Sequence, residues 1–226
     1  MMRFLTLDLP VSHYPALSGR ARFLQLTLGS RRKQIKNLVI DSTGLKLYGE
    51  GEGRVRQHGR TKQRTWRKLH LEPDADTHDV TAALITNKDV VDPRGLPHLL
   101  KQLEVPVERV LAEGSYDERE CCQAVYQRGA RAFIPPRKGS VLWKDEYLRD
   151  SNSNLRQVEK LGTKGGRRKV KYHRRSLGVG AIFRFKTIFS EKLRAREVER
   201  PHTKVTIRCL ALKRMTELGM PESYAL

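Results

Sequence analysis

Two acids stand at the ends of short apolar runs, where a carboxylate can either close a turn or face a reaction site. Asp41 ends the run 37–41 and Glu113 ends the run 107–113, and turn-forming residues follow each acid. Runs of this length, with this apolar content, predict buried strands. From the run alone, Asp41 is as readily a turn or cap residue as a site residue. The position is nevertheless the first candidate for chemistry.

A second candidate is the basic stretch 171–186. Four of its residues are separated by three, four and seven positions, a spacing that returns them to one face of an α-helix: Tyr172, Arg175, Val179 and Lys186. Leu177 and Ala181 fall on the other side. This pattern predicts a helix that packs on one side and presents a basic stripe on the other.

The same four positions resemble the C-terminal signature of bacterial insertion-sequence transposases. In that signature a Tyr is followed after two residues by Arg, after three more by Glu and after six more by Lys. Further blocks resemble DDE transposases of the insertion-sequence-five kind, and they follow one another in the family's order over nearly the whole chain: 8–11, 41–46, 65–71, 114–117, 129–136, 172–177 and 213–224. The number and order of these blocks make the resemblance specific.

The resemblance implies a ribonuclease-H-like fold. The implied activity is cutting and joining of the DNA at the ends of an insertion element. Three carboxylates would hold two Mg²⁺ or Mn²⁺ ions about 4 Å apart, which activate the nucleophile and stabilise the leaving oxygen. Asp41 and Glu113 stand at the first two catalytic and metal-binding positions, and Val179 stands at the third. By the same resemblance Tyr172, Arg175 and Lys186 bind DNA phosphates. Double-stranded DNA is the implied partner, and a homodimer on DNA is the implied assembly.

The departures from the family pattern lie at the metal site. Glu113 replaces an Asp and is one methylene longer, whereas Val179 replaces a Glu and has no metal-binding atom. Gly178 and Gly180 flank it, and each costs a helix about 1 kcal/mol relative to Ala. No other acid is an evident substitute, because Glu191 lies well beyond the signature and Asp117 is better explained as a helix cap. We therefore expect strand transfer to be lost or very weak.

Composition points to a polyanionic partner. The chain has 226 residues and a formal net charge of +20, an excess typical of proteins that bind nucleic acid. Residues 49–68 are rich in glycine and then in basic side chains. Four arginines of this segment are the predicted DNA contacts: Arg54, Arg56, Arg64 and Arg67. A plain solvated loop is the alternative.

The order of elements predicts the fold class. After the strand that ends at Asp41, the runs 65–72 and 79–86 predict a β-hairpin with an exposed turn between them. Helices capped by Asp92 and by Asp117 follow, with a strand before and after the second helix. The prediction is an α/β fold: a ribonuclease-H-like mixed sheet flanked by helices, with basic loops and a C-terminal helical part.

The predicted organisation is a single domain with extensions. Residues 1–36 are read as the remnant of an N-terminal arm, because the family's helical DNA-binding region is largely absent there. Residues 37–219 form the transposase domain, including a basic connecting segment at 137–171, and residues 220–226 form a tail. The absence of a long apolar run predicts a cytoplasmic protein, associated with the nucleoid when bound to DNA, and no membrane partner.

Three functions remain open from the sequence. The first is a DDE transposase with residual metal-dependent activity. The second is a catalytically dead relic that grips DNA and interferes with an intact transposase. The third is an unrelated basic protein that binds RNA, because charge alone does not distinguish the two nucleic acids.

Overall fold

The computed structural model describes residues 19–20, 23–24, 26–48, 65–169, 172–194 and 200–219. The strands are β1 (Ile35–Val39), β2 (Asp41–Tyr48), β3 (Thr65–Pro73), β4 (Val80–Asn87), β5 (Val107–Leu111), β6 (Arg131–Phe133) and β7 (Lys192–Arg194). The helices are α1 (Gly95–Gln102), α2 (Arg119–Gln127), α3 (Arg149–Lys169), α4 (Ser176–Phe189) and α5 (Arg200–Leu218).

The strands form two sheets that meet at a single residue. One sheet has the order β4-β3-β2-β7, with β4, β3 and β2 antiparallel and β7 parallel to β2. The other has the order β1-β5-β6 and is parallel throughout. Only Ile40 separates β1 from β2, and its backbone N–H donates to the carbonyl of Leu111 at 2.9 Å. The first catalytic candidate, Asp41, therefore lies where the two sheets join.

Helices cover the strands through two main apolar clusters. On β3, the alternate residues Leu69 and Leu71 join a buried cluster that includes Phe185 of α4 and Leu212 of α5. A second cluster joins β1, β5 and β6 to α1 and α2. Because side chains alternate along a strand, His70 and Glu72 point away from the first cluster. Both of these polar residues are fully buried.

The predicted α/β class with flanking helices is confirmed, in the expected order of strand, hairpin, helix, strand, helix and strand. The hairpin of β3 and β4 and the strand at 131–133 lie where the sequence places them. The sequence analysis did not predict β2, β7 or α3, a helical segment that is interrupted at Gly162, where φ is 67° and ψ is 167°. That helix occupies much of the segment 137–171, where only a basic connection was expected. The domain limits at residues 36 and 219 stay predictions.

Both predicted helix caps are wrong, because a 3₁₀ turn precedes each helix and moves its start. Helix α1 begins after Arg94, and Asp92 instead pairs with Lys68, whose Nζ lies 2.9 Å from Oδ1. Helix α2 begins after Glu118, and neither helix has a side-chain cap. Asp117 instead accepts hydrogen bonds from the hydroxyls of Ser140 and Ser151 at 3.1 and 2.9 Å.

In the part of the chain that the structure describes, none of the helices combines the length and the apolar character that crossing a membrane requires.

Candidate active site

The pairing of β1 with β5 brings the two candidate acids together. The strands are parallel, and Val39 lies opposite Leu111 at their ends. Asp41 and Glu113 each come two residues after this pair, so both lie beyond the same end of β1 and β5. The adjacency expected from acids at neighbouring strand ends is present.

Arg175 links the two acids. One guanidinium nitrogen, Nη2, lies 3.2 Å from Oδ1 of Asp41 and 3.1 Å from Oε2 of Glu113. The Arg175 and Asp41 side chains are largely buried, whereas the Glu113 side chain is 43% exposed. Hydrogen bonds between charged groups are roughly twice as strong as neutral ones. The acid pair therefore has a cationic partner supplied by the chain itself.

Burial dominates the electrostatics of Asp41. Loss of solvent raises the pKa of this carboxyl above its ordinary value, and the nearby charges of Glu113 and Asp92 act in the same direction. Arg175 and the backbone N–H of Ser42, 3.0 Å from Oδ1, oppose the rise. The ionised form of Asp41 thus depends on positive charge close by.

Tyr172 and Ser115 hold the backbone and the carboxylate at Glu113. The Tyr172 hydroxyl donates to the carbonyl of Ala112 at 3.2 Å, one residue before Glu113. The Ser115 hydroxyl donates to Oε1 of Glu113 at 2.8 Å. The second acid is therefore oriented by contacts on both sides of it.

The sequence predicted one helix that carries Tyr172, Arg175, Val179 and Lys186 on a single face, and this prediction is wrong for the first two residues. Tyr172–Arg175 form a 3₁₀ turn, and α4 begins only at Ser176. A 3₁₀ turn has three residues per turn rather than 3.6, so its side chains do not continue the stripe of the helix. Tyr172 and Arg175 reach the acid pair from this turn. Val179 is 48% exposed on α4, and Lys186 is half-buried farther along it.

Gly178 of α4 packs closely on the sheet beside Asp41. A Cβ at this position would lie 2.5 Å from Cγ1 of Val39 and 3.5 Å from Cβ of Asp41. The helix backbone therefore packs directly on the junction of β1 and β2. This contact leaves Val179, the next residue, turned towards solvent.

Asp76 is a positioning residue that the sequence analysis missed. It accepts a hydrogen bond from Nη1 of Arg174, next to Arg175, and another from Asn37 at 3.3 Å. Burial acts to raise the pKa of Asp76, but these hydrogen bonds outweigh it and lower the pKa. The turn was predicted to be exposed, yet Asp74 is buried and accepts bonds from Asp76 and Thr77. No spacing in the sequence signals these partners.

Asp92 is a second acid whose position could not be inferred from the sequence. Its negative charge acts to raise the pKa of Asp41. The pKa of Asp92 itself is lowered from its ordinary value, by the balance of two opposed causes. Burial acts to raise the pKa, whereas hydrogen bonds with Lys68 and Ser42 lower it. Asp92 thus forms an ion pair with Lys68 and also adds negative charge near the site.

The four arginines that the sequence predicts to contact DNA fall into two groups. Arg54, Arg56 and Arg64 lie outside the described residues. Arg67 is half-buried on β3, paired with Leu45 and Asn87 in the sheet. None of the described contacts tests DNA binding at these positions, which stay predictions.

The donor set does not fit a pair of Mg²⁺ or Mn²⁺ ions. Carboxylate oxygens suit these cations, but among the described residues the site offers two carboxylates, those of Asp41 and Glu113, and Arg175 bonds to both. Within the described ranges, no group of three or more His, Cys, Asp or Glu side chains could hold a metal ion. Glu191, considered above as a substitute, pairs with Lys46 instead.

Fold and site together define an α/β protein with an acid pair at the junction of two sheets, bonded to Arg175 from the turn before α4. A family model described as "Transposase DDE domain" matches residues 32–212, and a second model with the same description matches residues 1–50. The first match spans most of the chain, so the chain belongs to the transposase DDE domain family. This finding rules out the unrelated RNA-binding protein.

The chain also matches a solved structure at low sequence identity. It is the cryo-EM structure of the piggyBac transposase synaptic complex with hairpin DNA, which has 10% sequence identity and a TM-score of 0.40. The similarity covers 83% of this chain and 49% of that chain. This chain therefore spans about half the length of that protein.

Proposed function

We propose that this chain is the transposase domain of an insertion element that still binds DNA but has lost most or all of its metal-dependent cleavage and joining. The observation that carries the proposal is the state of the acid site. Asp41 and Glu113 share Arg175 as their partner, and position 179, the family's third acid, is an exposed Val.

The chemistry of strand transfer explains why this site is impaired. A nucleophilic oxygen must displace a 3′ oxygen in line at phosphorus, and two metal ions normally stabilise the attacking and leaving oxygens. Two carboxylates supply too few ligands for two ions that require near-octahedral geometry. An entering cation would also have to displace the Arg175 guanidinium from both acids. Weak binding and misplaced metal are the expected result.

Binding of DNA rests on charge rather than on the acid site. The net charge of +20 favours a polyanion, and the basic residues of 49–68 and of α4 are the proposed contacts. Assembly as a homodimer on DNA remains part of the proposal. It needs no intact metal site.

Plasmid nicking in Mg²⁺ and in Mn²⁺ tests the proposal. The chain is compared with a restored variant, Glu113→Asp with Val179→Glu, and with the same variant carrying Asp41→Asn as the control. We expect nicked plasmid only from the restored variant, because it alone regains three carboxylates. DNA binding, measured by fluorescence anisotropy on the same samples, should be similar in all three.

The other outcomes are informative. Nicking by the original chain at the rate of the restored variant would contradict the proposed loss of activity. Absence of binding to any DNA would contradict the proposed DNA-binding role.

A further inference from the structure

Strand β6 lies at the edge of the parallel sheet, and side chains occupy its outer side. It is the last strand in the order β1-β5-β6, so it pairs with β5 on one side. The backbone N–H of Ala132 donates to Oδ2 of Asp150 at 2.8 Å. Nδ2 of Asn154 donates to the carbonyls of Ala132 and Ile134 at 3.0 and 3.2 Å. One donor and two acceptors that a neighbouring strand would use are therefore already bonded.

The two covering side chains come from one face of α3. Asp150 and Asn154 are four residues apart, a spacing that places them one above the other on a helix. The Asp150 side chain is only 14% exposed, and its other oxygen lies 3.6 Å from Nε of Arg131. An acceptor followed by a donor on this face matches the donor and acceptor groups of the strand edge. Helix α3 thus takes the place of a fourth strand.

Polar bonds, rather than apolar burial, hold this part of α3 against the domain. The Ser151 hydroxyl donates to Asp117 at 2.9 Å. The Asn152 side chain bonds to both the N–H and the carbonyl of Trp143, each at 2.8 Å. Among the described residues, the apolar clusters include none from α3. Because water can replace polar bonds at a small net cost, such a cover is displaced more readily than a helix packed in the core.

The residues of β6 suit pairing with the same strand of another copy. Phe133 and Ile134 are of types that favour strands, and an uncovered edge can pair with an extended segment of another chain. Two identical edges can pair with each other about a twofold axis, which closes the assembly at a dimer. If Ala132 paired with its counterpart, Arg131 would lie opposite Phe133. These two groups already contact within one chain, with the guanidinium 5.3 Å from the ring centroid.

We propose that Asp150 and Asn154 guard the outer edge of β6 against strand pairing with a second copy of this chain. The concealed edge is an interaction surface, and a copy whose α3 is displaced is its partner. This surface is separate from the acid site and does not depend on the proposed DNA binding.

The test compares self-association of the full chain without DNA. The guard is removed in the double variant Asp150→Ala with Asn154→Ala, and more mildly in Asn154→Ala alone. Asn152→Ala is the matched control, because its amide lies between the two guards on α3 but bonds to Trp143 instead of β6. Sedimentation velocity over a range of concentrations gives the mass, and hydrogen exchange measures the protection of the Ala132 amide.

We expect the double variant to lower the apparent dissociation constant of self-association by at least about tenfold, because pairing no longer requires the guard bonds to break. Its Ala132 amide should exchange faster than that of the original chain when dilute, and should become protected again where the dimer forms. A purely structural role of the two side chains would not produce this second protection. Asn152→Ala should match the original chain.

Three outcomes would overturn the proposal. One is a double variant that folds, stays as monomeric as the original chain and keeps Ala132 protected when dilute. Another is equal association of Asn152→Ala. The third is growth beyond a dimer without renewed protection of Ala132, which would indicate association of unfolded chains. If circular dichroism shows that the double variant does not fold, Asn154→Ala decides the matter: the same changes at smaller size support the guard, and unchanged association and exchange overturn it.

Discussion

Arg175 acts at the acid pair as a fixed cation. Its single positive charge offsets part of the negative charge of Asp41 and Glu113, at the place where the family's chemistry requires metal ions. Its position depends on Arg174, which Asp76 holds from the hairpin turn. Stability measurements on single-residue variants should therefore detect competition between this guanidinium and a divalent cation.

Replacing Arg175 should make the stability of the fold respond to metal. In Arg175→Gln the two acids lose their cationic partner, so we expect a loss of about 1–2 kcal/mol in the absence of metal. Mn²⁺ should then raise the Tm of the variant more than that of the original chain, because a bound cation would replace the lost charge. Thermal scans with Mn²⁺ and with EDTA measure both effects.

The control for that prediction is Arg119→Gln, which removes an exposed ion pair with Asp145 at 3.2 Å. Mn²⁺ should shift the Tm of this variant no more than it shifts the Tm of the original chain. A Tm of the unmodified chain that rises with Mn²⁺ as much as that of Arg175→Gln would show that Arg175 does not compete with metal.

Glu72 should give the fold a measurable dependence on pH. This carboxyl on β3 is fully buried, neither of its oxygens has a hydrogen-bond partner, and burial raises its pKa from 4.5 to about 8 despite the opposing charge of Arg128. Between these values the folded chain keeps a proton that the unfolded chain has lost. Stability should therefore fall as pH rises, by up to about 1.4 kcal/mol per pH unit.

Urea unfolding across this pH window, with Glu72→Gln beside the original chain, checks the prediction. The variant cannot ionise at this position, so its stability should vary less with pH and should exceed that of the original chain near the upper end. The exposed Glu104→Gln serves as control. Parallel pH profiles for all three proteins would show that Glu72 keeps an ordinary pKa.

At the scale of elements, the approach of α4 to the sheet should distinguish its two glycines. A Cβ at Gly178 would meet Val39, whereas a Cβ at Gly180 would meet nothing within 4 Å. We expect Gly178→Ala to destabilise the fold by about 1–3 kcal/mol. Gly180→Ala should stabilise it by up to about 1 kcal/mol, because Ala favours the helix.

Urea midpoints of the two variants give the comparison directly. Because the helix-propensity gain is the same for both substitutions, the difference between them isolates the packing contact. Equal midpoints would mean that α4 does not lie as close to the junction of β1 and β2 as the structure places it.

Those elements that carry a periodic apolar pattern could be predicted from the sequence. The runs that became β3, β4 and β5 alternate or are continuously apolar, and the acids that end two such runs indicated the site. Helix α3 has few apolar residues, and the helical spacing of Leu155, Val158 and Leu161 was overlooked among its polar, basic and glycine residues. The 3₁₀ turn before α4 could not be separated from the helix, because spacings of three and 3.6 residues differ little over four positions.

The ionic partners of the site could not be predicted for a different reason. The bonds of Arg175 to Asp41 and of Arg174 to Asp76 join residues 134 and 98 positions apart. Such pairings depend on the packing of α4 on the sheet, and no local pattern encodes them. Only Val179, read from the family signature, could be flagged in advance as a position without a metal ligand.

At the scale of the whole molecule, the net charge of +20 should make DNA binding depend steeply on salt. Each phosphate contact contributes a slope of about −0.9 to the plot of log affinity against log salt. Replacing Arg54, Arg56 and Arg64 by Gln should therefore reduce the magnitude of the slope by about 3. Anisotropy titrations over a range of salt concentrations measure it.

The matched control removes three charges elsewhere. Lys88, Arg119 and Arg131 have exposed side chains and are replaced by Gln together. This second triple variant should change the slope much less, because the slope depends on the number of phosphates that the protein contacts and not on its net charge alone. If both triples lower the slope equally, the segment 49–68 has no special part in binding.

Strand β7 has a consequence for interrupted copies of this sequence. Lys192–Arg194 pair with Lys46–Tyr48 of β2 and bury Leu193 in the core. A chain that stopped before these residues would leave the backbone groups of β2 unpaired along that edge, which is a template for association with other strands. Such a chain would be drawn into aggregates and removed. We therefore expect solubility of this protein to require a chain that extends at least through Arg194, whether or not the acid site is active.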